Sequence, residues 1–510
     1  MSGPIRQPRA PTTREVLGAT EVSPGPSSPG GGCREVVGYS VRAGHLILLG
    51  SVPILLASDL AFHAAHSRLT FMVSTASESQ PREGECDGDL AQSDVMSLTQ
   101  RRRLRMEASS QDASVTPLEL FFDLVFVFGL TQVTSLMADD LTVSGLIRGL
   151  LVLGLLWWSW TGYAWLANVV RADEGAARIA MLAAMAAMFV LALSIPEAFN
   201  DEPGGLNGPM VVGVCYFAFR ALHLVLFWII AGDDEGLRRQ LVRFTPSVIG
   251  GTALLLVASG LEGSAKTVLW SVALLVDYGG TLLAGVSGWR LRSARHFAER
   301  HGLIVIVALG ESIVAVGVGV AGLAISWPIV VAAVVGLALA AGMWWMYFDI
   351  TSLVAERALA DELDGDRPRL ARDAYSFLHL PLITGVVLLA LGMKKLLENV
   401  GDTEHHDLAD PLTGIGLYAL YGGVSLYLVS HAAFKLRATH ILSVQRLVAA
   451  AMVLALLPLG AQLPALGALV VLTAVVVGLV AFEAIRFAED RERIRHEGMP
   501  RDSVQAVEQS

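Results

Sequence analysis

The chain has 510 residues, of which 54% are hydrophobic and 16% are charged, with a formal net charge of -10. A water-soluble protein this poor in charge would have too few polar side chains to cover its surface, so the composition excludes an ordinary soluble protein. In a soluble protein the acidic balance would argue against a nucleic acid partner, which we do not expect, although net charge says little about a membrane protein. Cys33, Cys86 and Cys215 have no metal-site spacing, so we expect no disulfide framework, no metal site and no cofactor.

Residues 1–115 differ in composition from the rest of the chain. Segments such as SPGPSSPGGG and SESQPREGECDGD are rich in Pro, Gly, Ser and acidic residues, and they lack the apolar periodicity that offsets the entropy of folding. The apolar stretch at 45–57 contains Pro53 and is shorter than the roughly 17 residues that a spanning helix needs. We therefore expect a disordered extension, and we hypothesise that Met72 or Met96 is the physiological start.

The remainder of the chain is a series of apolar blocks about 20 residues long, which is the length of a helix that crosses a hydrocarbon core of roughly 30 Å. Charged or turn-forming residues separate the blocks. This pattern predicts an all-α polytopic membrane helix bundle. Its twelve transmembrane helices are predicted at 117–137, 146–168, 178–198, 209–231, 244–261, 266–287, 302–323, 326–349, 373–393, 413–431, 443–460 and 464–486.

Lysine and arginine are concentrated in every second predicted loop. The first helix is preceded by four arginines, Arg101, Arg102, Arg103 and Arg105. The alternate loops, with their adjoining helix ends, contain only Arg148, Lys266, Lys394 and Lys395. Because basic loops stay on the cytoplasmic side of a membrane, this asymmetry predicts a multi-pass protein of the plasma (inner) membrane with both termini in the cytoplasm.

The two halves of the membrane region resemble each other. LVFVFGLTQV at 124–133 aligns with LIVIVALGES at 303–312, and WWSW at 157–160 aligns with WWMY at 344–347. These matches occur in the same order and predict two six-helix repeats of parallel topology. The predicted divisions are a first repeat at 116–300, a second repeat at 301–488 and a cytoplasmic tail at 489–510.

The first predicted helix carries polar side chains in the otherwise apolar sequence TPLELFFDLVFVFGLTQV. Thr116, Pro117 and Glu119 have the spacing of a capping box, which supplies a structural role for Glu119. Asp123 lies one turn deeper on the same face without such an explanation, and Gln132 extends the polar line. Because ionisable groups inside a bilayer are costly, we interpret this face as part of a pore, a proton path or a buried interhelical network.

Glu311 is the most conspicuous position of the second half. It falls about ten residues into the seventh predicted helix, roughly 15 Å deep at the helical rise, and the repeat aligns it with Gln132. We expect Glu311 to bind or relay charge near the bilayer centre. His301 lies at the cytoplasmic end of the same helix, and His379 and Asp349 lie near the cytoplasmic face.

Three further ionisable residues fall at mid-depth in predicted helices, namely Arg220, His223 and Asp277. Arg220 is expected to pair with Asp277 or Glu311. Two interpretations stay open at this point. The cluster either holds helices together through neutralised charges, or it is a proton or ion relay in which His223 titrates near neutral pH.

Four motifs, TPLELFFDLVFVFGLTQVT, WWSWTGYAWLAN, ERHGLIVIVALGESI and WWMYFD, occur in this order. On these motifs the chain resembles the bacterial low temperature requirement protein A family over roughly 115–490. The resemblance implies a membrane protein and no particular substrate. Six residues of this chain stand at motif positions of the family, and the resemblance implies that they are its site residues: Glu119, Asp123, Gln132, His301, Glu311 and Asp349.

The expected function is transport, by a channel or a proton-coupled carrier for a small ion or solute. No phosphate loop, nucleophile elbow, HExxH motif or paired CxxC occurs in the sequence, so we do not expect an enzyme of a soluble type. Two alternatives remain, a membrane-embedded enzyme acting on a lipid-like substrate and a non-catalytic sensor or scaffold for growth in the cold. The expected partners are the lipid bilayer and a small ion or solute. The oligomeric state stays open. Small residues would let helices of two protomers approach closely in a homo-oligomer, for example Gly279, Gly280, Gly317 and Gly319.

Overall fold

A computed structural model describes residues 114–402 and 405–496. The regular secondary structure of these residues is helical, without strands. Both proposed start sites and almost all of the predicted N-terminal extension lie outside the described residues. The predicted C-terminal tail is described only as far as its helix Ala488–His496.

Each predicted apolar block corresponds to a helix, and we number these helices α1 to α12. Their bounds are α1 Pro117–Asp139, α2 Val143–Val169, α3 Gly175–Leu193, α4 Gly208–Ala231, α5 Glu235–Ser259, α6 Gly263–Ala284, α7 Ala294–Gly319, α8 Trp327–Phe348, α9 His379–Gly401, α10 Gly414–Thr439, α11 Val444–Ala455 and α12 Ala465–Arg486. Shorter helical segments connect or extend them, at Ile195–Glu197, Thr351–Asp361, Arg367–Leu370, Ala371–Phe377 and Leu457–Gly460.

Eleven helices of the described chain are long and apolar enough to cross a membrane. The exception is α11, which continues only as far as Gly460 and is interrupted at Leu456, just before Pro458. At the helical rise the whole stretch Val444–Gly460 covers about 26 Å, less than a hydrocarbon core of roughly 30 Å. The predicted all-α polytopic membrane bundle is confirmed, and the twelfth span stays a prediction.

The helix α7 begins eight residues earlier than predicted. Ser293 caps it, because its hydroxyl accepts a hydrogen bond of 3.1 Å from the backbone N–H of His296. Arg300 and His301 therefore lie well inside the helix. By the helical rise, Glu311 lies about 25 Å from the start of α7 and about 12 Å from its end, so the prediction that it lies ten residues into the helix was wrong.

Corresponding helices of the two halves have the same neighbours. In the first half α1 packs against α2 and α3, and in the second half α7 packs against α8 and α9. The same correspondence holds for α3 with α4 and α9 with α10, for α5 with α6 and α11 with α12, and for α2 with α6 and α8 with α12. This shared packing supports the two predicted repeats, which remain a prediction.

The outer surface of the bundle carries many large apolar side chains. A surface of this kind would be unfavourable in water, since soluble monomers rarely expose extensive apolar patches. The polar and charged side chains described below lie inside the bundle instead. Examples of the outward apolar side chains are Leu275, Leu283, Trp327, Val334, Phe482 and Ile485.

Candidate functional site

Polar side chains of α1 and α7 meet along the line where the two halves of the bundle contact each other. We call this line the α1–α7 seam. It consists of three pairs: Glu119 with His296, Asp123 with Arg300, and Thr131 with Glu311. The contacts follow the same order on both helices, so α1 and α7 run parallel, as two repeats of parallel topology require.

Glu119 joins the start of α1 to the start of α7. The predicted capping box is present, with the Thr116 N–H donating to Glu119 Oε2 at 2.7 Å. The other carboxylate oxygen, Oε1, lies 2.9 Å from His296 Nε2. Asn168, at the end of α2, holds the same imidazole from its other side and donates to the Ser293 carbonyl at 2.6 Å. Glu119 therefore ties three helix ends together.

Asp123 lies in a buried ion pair. Arg300 Nη2 donates to Asp123 Oδ1 at 2.9 Å, and the indole Nε1 of Trp160 donates to the same oxygen at 2.8 Å. The guanidinium of Arg300 also lies over the Trp160 ring, 5.6 Å from its centroid. Arg300 was not predicted as a site residue, because it precedes the predicted start of the helix at residue 302. Its spacing of four residues from His296 would have placed both on one helix face.

Glu311 has no such partner. Its side chain is buried, and Oε2 accepts a hydrogen bond of 2.5 Å from the Thr131 hydroxyl. Within the described residues, no cationic side chain forms an ion pair with Glu311. Gln132, which the repeat aligns with Glu311, is half-buried, and the hydrogen bond comes from its neighbour Thr131 instead.

Of the two predicted partners of Arg220, Asp277 is the one that it contacts in the structure. Arg220 Nη2 donates to Asp277 Oδ1 at 2.9 Å, and the Tyr216 hydroxyl donates to Oδ2 at 2.7 Å. All three side chains are buried between α4 and α6. His223 lies one turn along α4, with its Nε2 3.0 Å from the Gly162 carbonyl. Both open interpretations require this contact between Arg220 and Asp277, so charge neutralisation and a relay both stay predictions.

A cavity of about 50 Å³ lies beside Arg220, between α2, α4, α5, α6 and the helical segment that precedes α9. We call it the aromatic cavity. Its apolar walls include Trp158, Trp165, Phe244 and Trp289, and its polar lining includes Thr161, Arg220, His223 and Arg372. A cavity of this size has room for a few water-sized groups.

The aromatic cavity is lined by polar atoms that lack partners. Within the described chain, four buried atoms of its lining residues have no hydrogen-bond partner: Trp158 Nε1, Thr161 Oγ1, Arg220 Nε and His223 Nδ1. The Gly162 carbonyl requires the proton of His223 on Nε2, so Nδ1 is an acceptor, whereas the other three atoms can donate. Because an unsatisfied buried group costs about 1–3 kcal/mol, this lining favours a polar occupant.

The residues that line the aromatic cavity lie at different depths in the bundle. Arg220 lies halfway along α4. Arg372 lies just before Tyr375, whose ring contacts Phe297 near the start of α7. We call the face where α1 and α7 begin the basic face, because the arginine-rich connections lie there. The lining of the aromatic cavity therefore includes residues near the basic face and residues at the centre of the first half.

The structure brings together two of the three residues predicted near the basic face. The rings of His301 and His379 lie 5.3 Å apart, and His379 Nε2 lies 2.8 Å from the Tyr347 hydroxyl. Asp349 lies elsewhere, 2.6 Å from Arg491 of the C-terminal helix. In the part of the chain that the structure describes, no group of three His, Cys, Asp or Glu side chains is arranged to hold a metal ion.

Residues 114–481 match the family described as bacterial low temperature requirement A protein (LtrA). The chain belongs to this family. The matched region contains both the α1–α7 seam and the lining of the aromatic cavity. The family resemblance inferred from the four sequence motifs is confirmed.

A relative of this low temperature requirement A family member is an uncharacterized protein of Rhizobium meliloti (strain 1021). The two are 28% identical over 303 residues, which cover 57% of this chain and 71% of the relative. No solved structure matches the chain.

Proposed function

We propose that this protein is a proton-coupled carrier of a small polar solute. In this proposal the Glu311 carboxyl takes up and releases the proton, and the aromatic cavity holds the solute. The proposal rests on one observation. Glu311 is buried between the halves of a membrane bundle with a hydroxyl partner and, among the described residues, no cation in contact.

The other acidic side chains of the bundle interior are matched by basic partners, Glu119 by His296, Asp123 by Arg300 and Asp277 by Arg220. An unpaired carboxylate inside a membrane helix is costly, with a cost of about 3 kcal/mol as the limit at the helix centre. Glu311 has no arginine in contact, and Lys394 acts on its carboxyl only from a distance, so we infer that Glu311 is neutralised by taking up a proton. Intramembrane carboxyl groups of this kind form proton relays in pumps and transporters.

The position of Glu311 can couple release of its proton to movement of the two halves of the bundle. Its hydrogen bond to Thr131 crosses from the second half to the first. A protonated carboxyl is stable in this dry contact, whereas a carboxylate favours water, so loss of the proton favours an arrangement in which α1 and α7 move apart. Movement of one repeat against the other is how carriers with internal repeats expose a central site alternately.

The helix α2 connects the α1–α7 seam, which contains Glu311, to the solute site. Trp158 lines the aromatic cavity, and Trp160, two residues later, donates a hydrogen bond to Asp123 of the seam. A shift of α1 relative to α7 would therefore move one wall of the cavity. The three unpartnered donors in the cavity favour a solute that accepts hydrogen bonds, such as a small anion.

The test uses purified protein in phosphatidylcholine vesicles that contain a pH-sensitive dye. An inward pH gradient is imposed, and chloride, nitrate, phosphate, sodium or potassium is added outside. We expect proton entry that depends on one of the three anions in the wild type and is abolished in Glu311→Gln, which keeps the side-chain shape without a titratable group. Glu235→Gln, at an exposed carboxyl of α5, is the matched control and should behave as the wild type.

A second variant separates solute binding from proton transfer. Trp158→Phe removes the Nε1 donor and keeps an aromatic wall, so we expect it to raise the solute KM with a smaller effect on the maximal rate. Proton entry that persists unchanged in Glu311→Gln would contradict the assigned proton site. Proton entry with none of the five solutes would count against transport and favour the sensor or scaffold alternative.

A further inference from the structure

A second and larger cavity, of about 460 Å³, lies on the basic face of the second half. It is formed by the ends of α8, α10 and α12, the start of α11, the segment Thr351–Asp361 and the C-terminal helix Ala488–His496. It is separate from the α1–α7 seam and from the aromatic cavity. We call it the basic cavity. Its charged lining residues are Asp349, Lys435, Arg446, Glu483, Arg491 and Arg493.

Positive charge exceeds negative charge in the basic cavity, with four cationic side chains against two carboxylates. Each carboxylate already contacts an arginine. Arg446 lies 2.8 Å from Glu483, and Arg491 lies 2.6 Å from Asp349. Lys435 forms no ion pair with a carboxylate among the described residues, although it is half-buried. Lys435 is therefore the side chain of this lining whose charge an anion would neutralise.

The rim of the basic cavity borders the apolar surface of the bundle. Trp345 and Ile441 line the cavity and are 41% and 59% exposed. Val444 and Ile485, on the adjacent parts of α11 and α12, also point outward. Arg491 lies over the Trp345 ring, 5.7 Å from its centroid. Tryptophan at the end of a membrane helix marks the level of the lipid head groups, so the cavity meets both water and lipid.

We infer that the basic cavity binds the phosphate head group of an anionic phospholipid from the adjacent leaflet. The phosphate lies against Lys435, and the acyl chains lie on the apolar surface beside Trp345 and Ile441. The volume is within the range of roughly 300–1,000 Å³ that small-ligand sites occupy. Basic pockets between transmembrane helices, at a membrane face, are suited to phosphorylated lipid head groups. A free phosphate would satisfy the charge but would leave the apolar rim unused.

The test is lipid retention by the full chain. The protein is reconstituted in equal amounts of phosphatidylglycerol and phosphatidylcholine, extracted in mild detergent and examined by native mass spectrometry. We expect the wild type to retain phosphatidylglycerol preferentially. Lys435→Gln should lower this preference about fivefold, the contribution of one basic side chain near an anionic membrane surface. Lys435→Arg should preserve it.

Arg178→Gln is the matched control, because Arg178 is exposed near the start of α3 on the same face, outside the cavity. It should retain lipid as the wild type does. The unfolding temperature of each variant in detergent shows whether the bundle is intact, and Lys435→Arg supplies a folded comparison if Lys435→Gln is unstable.

Three results would overturn the inference. The first is equal retention of the two lipids by the wild type. The second is an equal loss in Arg178→Gln and Lys435→Gln, which would indicate diffuse surface charge. The third is binding of inorganic phosphate that depends on Lys435 and displaces phosphatidylglycerol, which would make free phosphate the occupant.

Discussion

Asp123 and Arg300 form a buried ion pair between helices that belong to different halves of the bundle. Such a pair adds little net stability over a well-packed apolar contact, because both charges must be taken out of water. Removal of one partner has a larger effect, since it leaves the other charge buried and uncompensated. Trp160 holds Asp123 in place but cannot neutralise it.

This asymmetry can be measured with a double-mutant cycle. Arg300→Gln is expected to lower the free energy of unfolding by about 3 kcal/mol, because Asp123 then remains as a lone buried carboxylate. The double variant Asp123→Asn with Arg300→Gln is expected to be more stable than Arg300→Gln alone. Denaturant unfolding in detergent micelles, followed by tryptophan fluorescence, measures the free energy of unfolding of each variant. Losses that simply add would mean that the two side chains do not act as a pair.

The helices α9 and α10 approach so closely that their contact needs glycine. A Cβ added to Gly423 would lie 2.6 Å from the Gly385 carbonyl oxygen, and a Cβ added to Gly392 would lie 2.6 Å from the Leu420 backbone nitrogen. Small residues let helix backbones meet in membranes, where packing rather than hydrophobic burial drives association. Gly422, one residue away on the same helix, faces open space.

These two adjacent glycines provide a matched pair of substitutions. Gly423→Ala is expected to destabilise the bundle by about 1–3 kcal/mol, because the added methyl group forces two backbones apart. Gly422→Ala is expected to leave stability unchanged or slightly higher, since alanine favours a helix over glycine. Thermal unfolding in detergent compares them. Equal effects would show that the close α9–α10 contact does not contribute to stability.

Helix positions were predictable from the sequence, because a membrane-length apolar block has few alternatives in lipid. The start of α7 was not, since its first two turns are charged and resemble a loop. They are helical because His296 and Arg300 find partners on α1, and such partners depend on which helices become neighbours. The capping box of Glu119 was predictable because it is local. The Thr131 partner of Glu311 was not, since hydroxyl side chains are common in membrane helices.

The whole bundle has one basic face, and the asymmetry of lysine and arginine predicts that this face is cytoplasmic. Successive connections lie on alternate sides of the membrane only if every numbered helix crosses it. The interrupted helix α11 is therefore the critical element, because the positions of α12 and of the C-terminal helix both depend on it.

Cysteine accessibility tests the crossing of α11. In a cysteine-free background, Gln462→Cys and Ile441→Cys place a thiol at exposed positions on either side of this helix. We expect an impermeant maleimide added to intact cells to label Gln462→Cys and to spare Ile441→Cys. Glu202→Cys, between α3 and α4, is the control for the outer face. Labelling of neither α11 site, or of both, would show that α11 does not cross the membrane.

The pairing of α1 with α7 has a consequence for how the protein is made. A ribosome delivers Asp123 to the membrane long before Arg300 exists, and a lone carboxylate is poorly tolerated in lipid. The nascent first helix is therefore expected to wait at the polar boundary, or in the insertion machinery, until the seventh helix arrives. Insertion of the amino-terminal half is then conditional on translation through the seventh helix, and a chain that ends before it leaves Asp123 without Arg300.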